Sequence, residues 1–145
     1  VLLAAPQGRA VAAAHAGWRG LAGGFVEAAV AALCAAAHCD SDEISVWLGP
    51  CIGPRRFEVG ADVLRAFGHA TDTADTLRFA PASAVEGTPR WHAHLPQLVR
   101  DRLLCAGVQR IVGADACTVE DRGRYFSYRR DGVTGRMAAA VWIRG

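Results

Sequence analysis

The six residues His15-Ala16-Gly17-Trp18-Arg19-Gly20 are the first concentration of chemistry in the chain. An imidazole leaving an apolar run into a glycine-rich turn is placed to point into a cleft, and neutral histidine is the commonest metal ligand. The glycines beside it let backbone and ligand approach closely. Arg19 adds a planar guanidinium, which grips phosphate or carboxylate through paired hydrogen bonds. One histidine does not make a metal site, because zinc takes four ligands. Taken by itself, the block reads more simply as a core histidine beside a surface ion pair.

Three other places carry reactive side chains. Gly49-Pro50-Cys51-Ile52-Gly53-Pro54 holds a thiol in a stiff turn. A zinc nucleobase deaminase needs H-x-E and P-C-x-x-C. Here Cys51 is followed by Ile52, Gly53 and Pro54, and His15-Ala16-Gly17 lacks the glutamate, so that class is excluded on pattern. Cys51 is expected to be a small packing residue. His92-Ala93-His94 sets two imidazoles on one side of an extended segment, a spacing used by copper and zinc sites. The simpler reading is a solvated loop with His94 near a helix start. A multicopper oxidase needs roughly ten histidines in paired motifs, against five histidines and one methionine in this chain. Finally, Cys117-Thr118 and Phe126-Ser127-Tyr128-Arg129-Arg130-Asp131-Gly132 come late. Ser127, Tyr128 and the two arginines suit a phosphorylated or polyhydroxylated ligand. Arg130 reads better as an ion-pair partner of nearby acidic residues, and for Arg129 both readings stand. Dinucleotide, P-loop, H-E-x-x-H and G-x-S-x-G patterns are missing from the sequence.

The elements that must position these groups follow from periodicity. Val1–Ala5, Pro6-Gln7-Gly8 and Arg9–Ala14 predict strand, turn and strand. Residues 16–24 are too rich in glycine to predict a helix interior. Phe25, Val26, Ala29, Val30, Leu33 and Ala37 recur at helical spacing and predict a helix to Ala37. A strand is expected at Ile44–Leu48, a short strand at Phe57–Val59 and a helix over Ala61–Phe67. Residues 69–90 show no clear period and predict a mobile loop. A helix over Leu95–Cys105 ends at Gly107, strands follow at Val108–Val112 and Met137–Ile143, and a glycine-containing turn covers Arg129–Arg136. This mixture without strict alternation predicts an α+β fold, a single layered domain over residues 1–145 with a mixed β-sheet and packed helices.

Composition bounds the partners. Hydrophobic residues make up 52% and charged residues 21% of 145 residues, as in a globular domain. All sixteen basic residues are arginine, and the net charge is only +2. That balance gives no basic stripe for nucleic acid. No apolar run reaches the length that spans a bilayer, so neither nucleic acid nor membrane is an expected partner. Five cysteines without a C-x-x-C pair suggest reduced thiols in a cytoplasmic protein. The chain opens directly on an apolar strand pattern, and an N-terminal portion is expected to be missing.

Five blocks, in order and in register across nearly the whole chain, resemble the YfiH family, also called laccase-domain or polyphenol oxidase-like proteins. They are His15–Gly20, Leu48–Pro54, Phe57-Glu58-Val59-Gly60, Phe126–Asp131 and Thr134-Gly135-Arg136-Met137-Ala138. The resemblance implies a fold related to the catalytic domain of cytotoxic necrotizing factor toxins. It implies a zinc-dependent purine nucleoside phosphorylase, with accompanying adenosine deamination and methylthioadenosine cleavage; the substrates would be a purine nucleoside and phosphate. The alternatives are a copper-dependent (Cu2+) polyphenol oxidase and a non-catalytic fragment or binding module. In the family the zinc (Zn2+) is held by a histidine and a cysteine upstream of this region and by the histidine of the first block, which is His15. Cys51 and Cys117 do not take the place of that cysteine. Arg19 and Arg129 are the candidate anion contacts for substrate. His94 departs from the pattern, which has an acidic residue there.

Overall fold

The computed structural model describes residues 1–72 and 75–144. Strands β1 (Leu2–Ala4) and β2 (Val11–Ala13) form the expected hairpin, joined through a 3-10 turn at Pro6–Gly8. β3 (Ser45–Leu48) pairs antiparallel with β1 and parallel with β7 (Arg110–Gly113), giving a mixed sheet in the order β2-β1-β3-β7. A second sheet, ordered β4-β6-β5, contains β4 (Glu58–Val59), β5 (Phe79–Val85) and β6 (Thr88–Ala93). With helices packed on these sheets, the architecture is α+β.

The helices cover one face of the four-stranded sheet. α2 (Phe25–Ala37) buries Val26, Val30, Leu33 and Ala37, a spacing that returns to one side of an α-helix. α4 (Leu95–Cys105) buries Leu95, Leu98, Val99 and Leu103 against the same core. Along β3 exposure alternates, with Val46 and Leu48 inward and Ser45 and Trp47 outward. Leu3, Leu21, Val26, Ile44, Leu64, Leu103 and Val108 are each wholly buried. Each such aliphatic side chain contributes about 1.5–3 kcal/mol by leaving water.

Three expectations need correction. Residues 18–22 form a short helix, α1 (Trp18–Ala22), in spite of Gly20. Leu21, fully buried, anchors it. The region 69–90 is not one loop. Thr73 and Ala74 lie outside the described residues, but Phe79–Val85 and Thr88–Ala93 are a hairpin whose turn is Glu86 (φ 48°) and Gly87 (φ 74°). Two positive φ values in a two-residue connection match the twist of paired strands. Arg78 fastens its entrance by bonding Asp75 and Asp101. Finally, Met137–Ile143 is not part of a sheet; its backbone enters no ladder. α3 (Ala61–Ala66) and the four-residue α5 (Tyr128–Asp131) complete the elements.

Candidate functional site

A cleft of about 970 Å³ opens at one end of the four-stranded sheet. Its floor is the start of β1 (Val1, Leu2) and the ends of β2 (Ala13, Ala14) and β3 (Trp47, Leu48). Ligand sites in open sheets gather where strand ends leave such a crevice. His15 stands two residues past the end of β2 and is exposed at this cleft. The ring lies over Gly17, where a side-chain carbon would sit 2.8 Å from His15 Nε2. The glycine therefore makes room for the imidazole.

The far wall comes from residues 124–129, which include Phe126, Ser127, Tyr128 and Arg129. Phe126 packs so closely on Gly135 that a methyl group there would stand 2.8 Å from its ring. Arg129 donates from Nη1 to the Glu58 carbonyl at 3.3 Å and lies over the Phe57 ring at 5.6 Å. Its other guanidinium donors make no hydrogen bond among the described residues. Ser127 is 7% exposed and occupies the N-cap of α5; its carbonyl accepts from Asp131 N at 2.9 Å, while its hydroxyl makes no cap hydrogen bond.

Neighbouring Arg130 does different work. Its guanidinium donates to the carbonyls of Thr118, Val119 and Tyr125 and to both Asp131 oxygens. It thus ties together the loop that presents the far wall, and the hydrogen bond from Arg130 holds the Asp131 carboxyl below the usual carboxylate range. The acidic-partner reading of Arg130 agrees with this geometry. Arg19 stacks on Trp18 with its guanidinium carbon 4.4 Å from the ring centroid. It is exposed and is not among the residues lining the cleft. Of the two candidate anion contacts, the fold brings Arg129 and not Arg19 into the cleft with His15.

The cysteines brace the cleft. Cys51 and Cys117 form an isolated parallel bridge, with Thr118 N donating to the Cys51 carbonyl at 2.9 Å and Gly53 N to Cys117 Sγ at 3.1 Å. Cys51 lines the cleft and packs against the core. Burial, reinforced by the adjacent Cys117, pushes its thiol up to about 11. All five cysteines are free thiols. His92 lies in β6, and His94 is the N-cap of α4, its Nδ1 accepting from Gln97 N at 3.2 Å. An acidic side chain in that position would cap the same helix. Neither imidazole lines the cleft.

Among the described residues, no three histidine, cysteine, aspartate or glutamate side chains converge as a metal site. His15 supplies one donor, so these residues by themselves do not fit a zinc or copper ion. No helix among them is long and apolar enough to cross a membrane.

A mixed sheet with helices packed on it and a histidine-lined cleft at its strand ends defines an α+β domain with a candidate ligand site. The match is specific: residues 1–144 fit the model of the multi-copper polyphenol oxidoreductase laccase family, and the chain belongs to that family. It is 45% identical over 144 residues to the purine nucleoside phosphorylase YfiH of Escherichia coli (strain K12), covering 99% of this chain and 55% of the relative. It is 48% identical over 137 residues to the purine nucleoside phosphorylase PA4543 of Pseudomonas aeruginosa, covering 94% and 53%. The Neisseria meningitidis protein NMB0706, a solved structure of family DUF152, superposes with a TM-score of 0.83 at 43% identity, covering 99% and 56%. The chain spans about half the length of the curated relatives it matches.

Proposed function

We propose that this chain forms the phosphate-side and base-side walls of a purine nucleoside phosphorylase. The observation that carries the reading is the placement of His15 and Arg129 in one aromatic-walled cleft, in a chain about 45% identical to proteins of that activity. In phosphorolysis a phosphate oxygen attacks the anomeric carbon while the purine departs with the bonding electron pair. A guanidinium at the cleft neutralises the attacking phosphate and holds its orientation. Apolar walls, Phe126 and Tyr128 among them, exclude water, which would otherwise compete as the nucleophile. His15 is proposed as one ligand of a zinc ion whose other donors come from family polypeptide outside these residues; zinc would supply Lewis-acid chemistry. Adenosine deamination and methylthioadenosine cleavage are proposed as further activities of the same cleft, in a cytoplasmic protein.

The test is chromatographic. The chain, extended to the full length of its relatives, is incubated with inosine and phosphate, and hypoxanthine and ribose 1-phosphate are measured. Arg129→Met is expected to raise the phosphate KM about tenfold or more, the loss of a charge-assisted contact, while Arg19→Met is expected to leave it unchanged. An unaltered phosphate KM in Arg129→Met eliminates that residue as the anion contact. Adenosine and methylthioadenosine are assayed in parallel.

A second reading rests on the description of the matched family, which names a multi-copper polyphenol oxidoreductase. Near-stoichiometric copper in protein purified without added metal, together with phenol oxidation, would favour it. A third is that these 145 residues alone are a non-catalytic module. Full phosphorolysis by the unextended chain would exclude it.

A further inference from the structure

The fold brings together two thiols that lie far apart in sequence. Cys51 stands in the turn after β3 and Cys117 in the segment after β7, and the two are direct partners in their bridge. Bridged chains run about 4.8 Å apart, inside the roughly 4.4–6.8 Å between Cα atoms that a disulfide accepts. The Cys117 sulfur is aimed by the same contact. Gly53 N donates to it at 3.1 Å, which seats it on the turn that carries Cys51. A side-chain carbon on Gly53 would stand only 3.2 Å from that sulfur, so a glycine admits it.

The two segments are already clamped. Thr118 N donates to the Cys51 carbonyl, and Arg55 grips Glu120 through Nε at 3.0 Å and Nη2 at 2.8 Å. Contacts on either side of the cysteines therefore hold their backbones in register, which is the condition for a bridge without backbone movement. Access differs between the two thiols, both of them partly buried. Cys51 lines the cleft, whereas Cys117 lines a separate depression of about 580 Å³ with Asp115, Glu120, Asp121 and Arg122. A small solute reaches Cys117 from there without entering the cleft.

We propose that Cys51 and Cys117 are an oxidation-sensitive pair, converted by a hydroperoxide into a disulfide that ties the turn after β3 to the segment leading into the far wall. Cys117 reacts first. Its sulfur, having lost its proton, takes one oxygen of the peroxide; the O–O bond breaks and the other oxygen leaves as water, giving a sulfenic acid. The Cys51 sulfur then attacks the Cys117 sulfur, the S–O bond breaks and that oxygen leaves as a second water. Two electrons pass from the sulfurs to the peroxide, and both thiol protons end in the waters. Burial keeps the Cys51 thiol protonated and slow toward peroxide itself. Contact with an oxidised neighbour is what makes it react. The link closes a long loop next to Thr118 and Val119, whose carbonyls Arg130 also holds, so it reinforces the far wall. The inference concerns thiol chemistry and is independent of phosphorolysis.

The test treats the chain, extended to the full length of its relatives and fully reduced, with hydrogen peroxide, blocks remaining thiols with iodoacetamide and maps disulfides by mass spectrometry. Cleavage at arginine and at aromatic residues separates Cys51 from Cys34 and Cys39, because Trp47 lies between them. The expected product is a Cys51–Cys117 linked peptide that dithiothreitol reverses, in a protein melting about 5 °C or more above its reduced form. Cys51→Ser is expected to stop after the first step, with dimedone capturing the Cys117 sulfenic acid. Cys117→Ser is expected to give no dimedone adduct at Cys51. Cys51 and Cys117 recovered unlinked from the parent protein overturn the proposal whatever the variants do, and so does a Cys34–Cys39 link formed in their place. Dimedone on Cys51 but never on Cys117 overturns the order of reaction, and a 51–117 link without a rise in melting temperature overturns the reinforcement of the wall.

Discussion

Gly17 offers a clean probe of His15, because its backbone has no need of glycine. Its φ of −67° and ψ of 150° suit any residue. A methyl group would nevertheless stand 2.8 Å from His15 Nε2 and 3.3 Å from Cδ2. Ordinary contact begins near 3.4 Å, so the ring must retreat by about 0.6 Å. His15 is exposed and yields by changing rotamer, at a cost of about 0.5–1.5 kcal/mol. Alanine is a poorer N-cap than glycine for α1, but it lowers the entropy of the unfolded chain by the equivalent of about 0.4–1 kcal/mol. These terms nearly cancel, and the stability of Gly17→Ala, from urea unfolding, is expected within about 1 kcal/mol of the parent. Metal–ligand distances tolerate only about 0.2 Å. In the chain extended to full length, zinc affinity is therefore expected to fall at least tenfold and inosine phosphorolysis with it. Gly17→Ala added to His15→Ala is expected to do no further harm, since both act through one imidazole. Unchanged zinc affinity and activity at intact stability would refute His15 as a ligand. A stability loss above about 2 kcal/mol would refute the claim that only the ring gives way.

Arg130→Met is expected to lower the melting temperature by roughly 5 °C or more, because three carbonyls lose their shared donor. The same variant tests a pH effect. The Asp131 carboxyl is depressed by its bond from Arg130, so its stabilising contribution is complete above the unfolded carboxylate value of about 3.9 and is lost as pH falls through the lower folded value. Acid titration of Arg130→Met, followed by circular dichroism, is expected to lack that component. At pH 8 iodoacetamide is expected to modify exposed Cys105 well before Cys51, whose thiol stays protonated; mass spectrometry showing equal rates would contradict the burial argument. Gly107→Ala and Gly68→Ala both place a side chain at positive φ, 91° and 78°. Gly68 faces open space and should cost about 1–2 kcal/mol, whereas Gly107 meets the Ser41 side chain and should cost measurably more by urea unfolding.

Much of the fold was readable because its signals are local. The periodic apolar residues of α2 and α4 and the turn between β1 and β2 specify those elements without reference to the rest of the chain. The β5–β6 hairpin escaped because its turn, Glu86-Gly87, lacks the usual asparagine or aspartate before glycine. α1 escaped because a buried Leu21 outweighs the low helical preference of Gly20. The apolar run Met137–Ile143 predicted a strand by composition and is none, because a strand exists only with a neighbour, and pairing is not encoded in one segment.

The site divides in the same way. Residue types and order marked His15, Arg19, Arg129 and the late Phe126–Asp131 block as chemically able, and family resemblance gave them an activity to expect. The sequence reading already favoured an ion-pair role for Arg130, whereas tertiary structure alone separated Arg129 from Arg19. What fixes the roles of the two adjacent arginines is where distant groups fall: the carbonyls of Thr118, Val119 and Tyr125 claim Arg130, while Glu58 and Phe57 seat Arg129 at the cleft. A side chain's chemistry belongs to its residue, but its partners are assembled from across the chain, and only the folded backbone brings them within reach.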